Sequence, residues 1–103
     1  MAIFIIAELG INHDGSLDKA KRLIDAAKSA GASGCKFQMF NSHRLWGDGR
    51  IAHLELNEAA LVELANHAKH VGIEFLCTPF GVPEVEFLAP LVKRMKIASG
   101  CIA

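Results

Sequence analysis

The strongest hydrophobic pattern opens the chain, where Ile3, Phe4, Ile5, Ile6 and Ala7 follow one another with no polar residue between them. A continuous run of this kind, without the alternation of a half-exposed strand, predicts a parallel strand covered on both faces. After the turn Gly10 to Gly15, Ser16 is placed to cap a helix. There Ala20, Leu23, Ile24 and Ala27 recur at i, i+3, i+4 and i+7, and Gly31 marks the stop. Gly34 to Gln38 reads as a second strand. A polar loop containing Gly47 and Gly49 leads to Asn57, the predicted cap of a second helix with its stripe on Leu61, Leu64, Ala65 and Ala68 and its stop at Gly72. Ile73 to Cys77 predicts a third strand and Thr78-Pro79-Phe80-Gly81 a turn. A short helix opened by Pro83 and closed by Pro90 follows, and Met95 to Ser99 predicts a fourth strand.

The order is strand, helix, strand, helix, strand, helix, strand. Alternating units of this kind give an α/β fold with a parallel sheet and right-handed crossovers. An open doubly wound sheet and part of a closed barrel both satisfy the pattern. A chain of 103 residues makes one domain, and 51 % apolar with 21 % charged residues is the composition of a folding sequence.

The charges are 11 basic and 11 acidic residues. This balance leaves no electrostatic footprint for a nucleic-acid backbone or an anionic membrane, so any phosphate must be gripped locally. Glu8 directly follows the opening apolar run and no basic flank precedes it, so a signal peptide or membrane span does not fit and a cytoplasmic location is expected. Cys35, Cys77 and Cys101 lack zinc or redox spacing and are expected to be free buried thiols.

Polar residues gather at the C-terminal end of each predicted strand: Glu8, then Lys36 and Gln38, then Thr78, then Lys96 and Ser99. In either architecture the loops converge at that end, and a charge within an apolar strand is costly unless it is paired or faces a functional cavity. Simpler accounts exist residue by residue. Glu8 pairs with Lys36, Lys96 snorkels, Thr78 shapes a turn and Ser99 ends a strand. One shared site accounts for all of them together. Gly10 to Gly15 has neither the dinucleotide nor the P-loop spacing. His13 reads as a solvated or capping histidine, and His43, His53, His67 and His70 form no metal motif, with His67 and His70 expected to face solvent.

Four stretches carry a resemblance: Ala7-Glu8-Leu9-Gly10-Ile11-Asn12-His13-Asp14-Gly15-Ser16, Lys36-Phe37-Gln38, Cys77-Thr78-Pro79-Phe80 and Lys96-Ile97-Ala98-Ser99-Gly100. Together, in this order on successive strands, they resemble the N-terminal domain of the N-acetylneuraminate (sialic acid) synthase family, which includes legionaminic and pseudaminic acid synthases and spore-coat polysaccharide proteins. The resemblance implies that residues 1–103 are the first half of a TIM (β/α)8 barrel, without the family's C-terminal antifreeze-like domain. It implies a synthase that condenses phosphoenolpyruvate with an N-acylated hexosamine such as N-acetylmannosamine to a nine-carbon 2-keto sugar acid, working as a homodimer. Lys36 and Lys96 would then neutralise phosphate and carboxylate, Thr78 and Ser99 would donate hydrogen bonds, Glu8 would serve the proton or water step, and Gln38 would reach the sugar. The divalent metal of the family, often manganese, is expected to find its histidines on later strands, outside this chain. Cys101 stands where an acidic residue is common. These absences imply that the chain alone is inactive. A free-standing phosphoenolpyruvate-binding or assembly module without catalysis is the alternative.

Overall fold

The computed structural model describes residues 3–40 and 55–95. Over these the chain forms β1 (Ile6–Gly10), α1 (Leu17–Ser29), β2 (Gly34–Met39), α2 (Glu58–Val71), β3 (Glu74–Pro79) and α3 (Val82–Leu88). The expected fourth strand, with Lys96 and Ser99, lies outside the described residues apart from Met95. The strands form one sheet in the order β1-β2-β3, every pair parallel. Consecutive strands are neighbours, so the flavodoxin-like order, in which the first strand sits between the second and third, is not the one adopted.

The helix ends follow the chemistry read from the sequence. The Ser16 side chain accepts from the Lys19 amide and Asn57 from the Ala60 amide, each satisfying a first-turn donor that the helix leaves open. Gly72 closes α2 in the left-handed conformation at φ 87. An ion pair, a side-chain hydrogen bond and a cap contact tie α1 to α2: Lys21 to Glu63 at 3.2 Å, His67 Nε2 to Asp25 at 2.7 Å, and Lys28 Nζ to the Gly72 carbonyl at 3.1 Å. His67 is thus half-buried between helices rather than facing solvent, because the α1–α2 contact brings Asp25 within its reach.

One apolar cluster joins helices to sheet. It contains Ala20 and Ile24 of α1, Leu61 and Leu64 of α2 and Leu88 of α3, packed on Leu9, Cys35, Phe37, Phe75 and Cys77. Alternate strand residues point to opposite faces. The helices therefore cover the face of Leu9, Cys35, Phe37, Phe75 and Cys77, and the intervening residues Glu8, Lys36, Gln38, Leu76 and Thr78 take the other face.

Two strand boundaries differ from the sequence reading. β1 runs from Ile6 to Gly10 because its partner begins only at Gly34, which pairs with Ile6. Upstream, the Ile5 amide instead donates to Ser33 Oγ, and the Ile5 carbonyl accepts from the Ser33 and Gly34 amides. Ile3 to Ile6 are exposed, Ile3 by 78 %, so the expected cover on both faces is not formed among the described residues. At the other boundary, β3 continues through Thr78 and Pro79, which pair with Gln38 and Met39 where a turn is expected. Proline is tolerated at the end of a strand, where its missing N–H costs little to the ladder.

Candidate active site at the strand ends

The parallel register sets Glu8 beside Lys36 and Lys36 beside Leu76 in one layer across the sheet. Two residues further along, about 6.6 Å by strand geometry, Gln38 pairs with Thr78. Four of the six residues singled out in the sequence therefore share the face opposite the helices. Lys96 and Ser99 lie outside the described residues.

Lys36 Nζ sits 2.9 Å from Glu8 Oε2, and the two ends of this pair differ sharply in environment. The lysine side chain is 11 % exposed and the glutamate 61 %. A largely buried lysine side chain thus meets a carboxylate that remains mostly in water. Glu8 supplies the negative charge that compensates the lysine, and an anion arriving at the same face would share that ammonium. Thr78 is 6 % exposed, and its hydroxyl adds a donor and acceptor in the next layer.

The end of β1 is shaped to leave room here. The strand register shifts between Glu8 and Gly10, and Gly10 adopts φ 52. A bulge of this kind re-aims a strand beside a site, and glycine takes the left-handed conformation without the steric cost of a Cβ. A Cβ at Gly10 would stand 3.7 Å from Gln38 Nε2, so the glycine keeps the space beside that amide open.

Lower on the same face lies a structural clamp. Arg94 Nη2 donates to Glu74 Oε1 at 3.3 Å, whereas Nε faces Oε2 at 2.9 Å without hydrogen-bond alignment, and the guanidinium stacks 4.4 Å from the Phe4 ring centre. Two grooves fall elsewhere. One of about 360 Å³ lies between the starts of α1 and α2, and one of about 560 Å³ is lined by Lys69, Ile73, Phe75, Leu91 and Lys93.

Of the two readings of His13, solvated or capping, the structure supports the second: the ring Nδ1 accepts from the Gly15 amide at 2.8 Å. The residue is fully buried, not solvated, with its ring 6.0 Å from that of Phe37. Nothing in its spacing signals this, because its burial comes from the loop folding back over β2. Cys35 and Cys77 are free and buried, and burial pushes their thiols up to about 11 and about 12. Among the described residues no group of three His, Cys, Asp or Glu side chains converges to hold a metal ion. Among those residues, then, no donor set fits the divalent metal that the resemblance implies. No helix among the described residues is long and apolar enough to cross a membrane.

A parallel α/β sheet clad by helices on one face, with a lysine, carboxylate, amide and hydroxyl on the other, is the arrangement expected of part of a (β/α) barrel, whose sites lie at the strand ends. The NeuB family model matches residues 23–103, and the chain belongs to that family. It is 38 % identical to N,N'-diacetyllegionaminic acid synthase of Legionella pneumophila, over 97 % of this chain and 34 % of that protein. It is also 38 % identical to human N-acetylneuraminate-9-phosphate synthase, over 94 % of this chain and 32 % of that protein. The crystal structure of N-acetylneuraminic acid synthetase from Leptospira borgpetersenii, in complex with citrate, superposes with a TM-score of 0.90 at 36 % identity, covering 97 % of this chain and 37 % of that one. The spore coat polysaccharide biosynthesis protein of Bacillus subtilis gives a TM-score of 0.77 at 39 % identity, over 94 % of this chain and 29 % of that structure. The chain spans about a third of the length of the curated relatives it matches.

Proposed function

We propose that this chain supplies the phosphoenolpyruvate-binding wall of a sugar acid synthase in carbohydrate biosynthesis. The carrying observation is the largely buried Lys36 side chain, on one sheet face with Glu8, Gln38 and Thr78. In the proposed reaction C3 of phosphoenolpyruvate forms a bond to the aldehyde carbon of an open-chain N-acylated hexosamine such as N-acetylmannosamine. Water adds at C2, the C2–O bond to phosphate breaks, and a nine-carbon 2-keto acid and inorganic phosphate result. The division of labour follows from charge and position. Lys36 neutralises an anionic group of phosphoenolpyruvate, and Thr78 donates to it. Glu8, at the open mouth of the face, serves the proton or water step, and Gln38 presents its amide to the sugar. Lys96 and Ser99 complete the anion grip by resemblance. Completion of the reaction is assigned to a longer protein, because the matched relatives are about three times as long.

The test is calorimetric titration of phosphoenolpyruvate into the chain and its variants. Lys36→Met keeps the apolar stem and removes the charge, and it is expected to weaken binding by about 1.5 to 3 kcal/mol, roughly ten- to 150-fold. Lys28→Met, which removes the contact to the Gly72 carbonyl between the outer helices, is expected to leave affinity unchanged. Equal affinity in the wild type and Lys36→Met sinks the assignment.

A further inference from the structure

We propose that His13 is a pH-sensitive pin of the loop that follows β1: its neutral ring holds the turn ending at Gly15, and protonation releases that turn. The Gly15 amide donates to His13 Nδ1 at 2.8 Å. A nitrogen that accepts this bond carries no proton, so the neutral ring has its hydrogen on Nε2. That nitrogen is buried without a hydrogen-bond partner. The turn itself is wound by the Asn12 amide donating to the Leu9 carbonyl, Asp14 to Ile11 and Ser16 to His13, with Asp14 at φ 53 and Gly15 at φ 77. The imidazole thus holds the Gly15 amide from inside the core.

Protonation converts Nδ1 from acceptor to donor, and two N–H groups then face each other at the position of the bond. The bond cannot survive that change. The surroundings decide where it falls on the pH scale. Burial holds the ring below the ordinary value of 6.5, while Asp14 and the nearby Gly10 carbonyl pull it the other way. Asp14 is the one charged group among the described residues whose field the ring feels appreciably, and it is itself paired with Lys19 of α1 at 2.8 Å. β2 presents only the Phe37 ring to it. The Gly10 carbonyl favours the charged form without a well-formed hydrogen bond to Nε2. Because the folded-state value is depressed, the neutral pin is fully in place above about 6.5 and is lost as pH falls through the lower folded value. The released loop adjoins Gly10, which borders Gln38, so acid would loosen one wall of the proposed site.

The experiment is residue-resolved amide exchange on the chain from about pH 7.5 down to the pH at which the ring nitrogen shifts show His13 protonated, corrected for intrinsic exchange chemistry. Gly15 is expected to lose protection about tenfold or more as His13 protonates. Gly72, whose amide is bonded to the Ala68 carbonyl at 2.9 Å, should keep its protection and so rule out global unfolding. His13→Asn places an amide oxygen near the Nδ1 position and does not titrate, so its Gly15 protection should be independent of pH. A wild-type Gly15 that stays protected throughout overturns the proposal, as does a His13→Asn chain that still loses protection in acid. The nitrogen shifts of the wild-type ring supply a test that needs no variant. A neutral ring protonated on Nδ1 contradicts the pin, and one protonated on Nε2 supports it. None of these readouts depends on phosphoenolpyruvate binding, so the pin and the proposed function stand or fall separately.

Discussion

Glu8→Gln separates a structural ion pair from a ligand lysine. In the folded chain the Glu8 carboxylate occupies Lys36 at 2.9 Å, and a phosphate or carboxylate approaching the same ammonium must share it. An anion seated on the far side of Nζ lies about 6 Å from the glutamate. At that distance like charges repel by about 2.8 kcal/mol at an effective dielectric of 20 and about 0.7 kcal/mol in bulk water. Glu8 is 61 % exposed, so solvent screening puts the effect toward the lower figure, about 1 kcal/mol. Glu8→Gln is therefore expected to bind phosphoenolpyruvate roughly fivefold more tightly than the wild type. The difference should shrink as salt is added. Calorimetric titration at low and high salt reads both quantities. In a longer active protein the same variant should lose turnover while gaining affinity, a split that a merely structural glutamate would not produce. Binding weakened as severely as in Lys36→Met would refute the reasoning, because it would make the ion pair a precondition for the site and not a competitor for it.

Three further outcomes follow from the packing. Gly72→Ala should destabilise the fold by about 1 to 2 kcal/mol in urea unfolding, the cost of a Cβ in the left-handed region, since the added atom meets only Lys28 Nζ at 3.6 Å; an unchanged midpoint would mean that the α2 cap relaxes freely. Cys35 and Cys77, pushed up to about 11 and about 12, should resist alkylation near pH 8, where about one thiol in a thousand or fewer is ionised; native labelling as fast as in denaturant would contradict their burial. The exposed Ile3, Ile5 and Ile6 and the outer edges of β1 and β3, which are unpaired among the described residues, should make the 103-residue chain self-associate at roughly tens of micromolar, and light scattering that shows a stable monomer would contradict this.

Local chemistry made much of this fold legible. Ser16, Asn57 and Gly72 announced their helix ends because caps depend on short-range hydrogen bonds and backbone conformation. The stripes on α1 and α2 identified the buried face because period and burial are linked. The extent of β1 was not legible, since a parallel strand lasts only as long as its partner, and Gly34 is remote in sequence from Ile6. For the same reason Thr78 and Pro79 read as a turn until Gln38 and Met39 extended the ladder beside them. Within the site, the residue types at the strand ends were visible as polar interruptions of apolar runs. The Glu8–Lys36 pair was one of the readings open from the sequence, whereas the unequal exposure of its two ends was not visible there. The burial of His13 was hidden, because a histidine in a turn with Asp14 and Gly15 reads as polar surface and only the tertiary fold places it against Phe37.

The most direct test of the central claim is a crystal structure of the chain with phosphoenolpyruvate. The account predicts a phosphate or carboxylate oxygen within about 3 Å of Lys36 Nζ, the Thr78 hydroxyl facing the same ligand and the Glu8 carboxylate sharing the ammonium from its other side. Phosphoenolpyruvate found instead in the groove beside Lys69 and Lys93, with no ligand oxygen at Lys36, would contradict it.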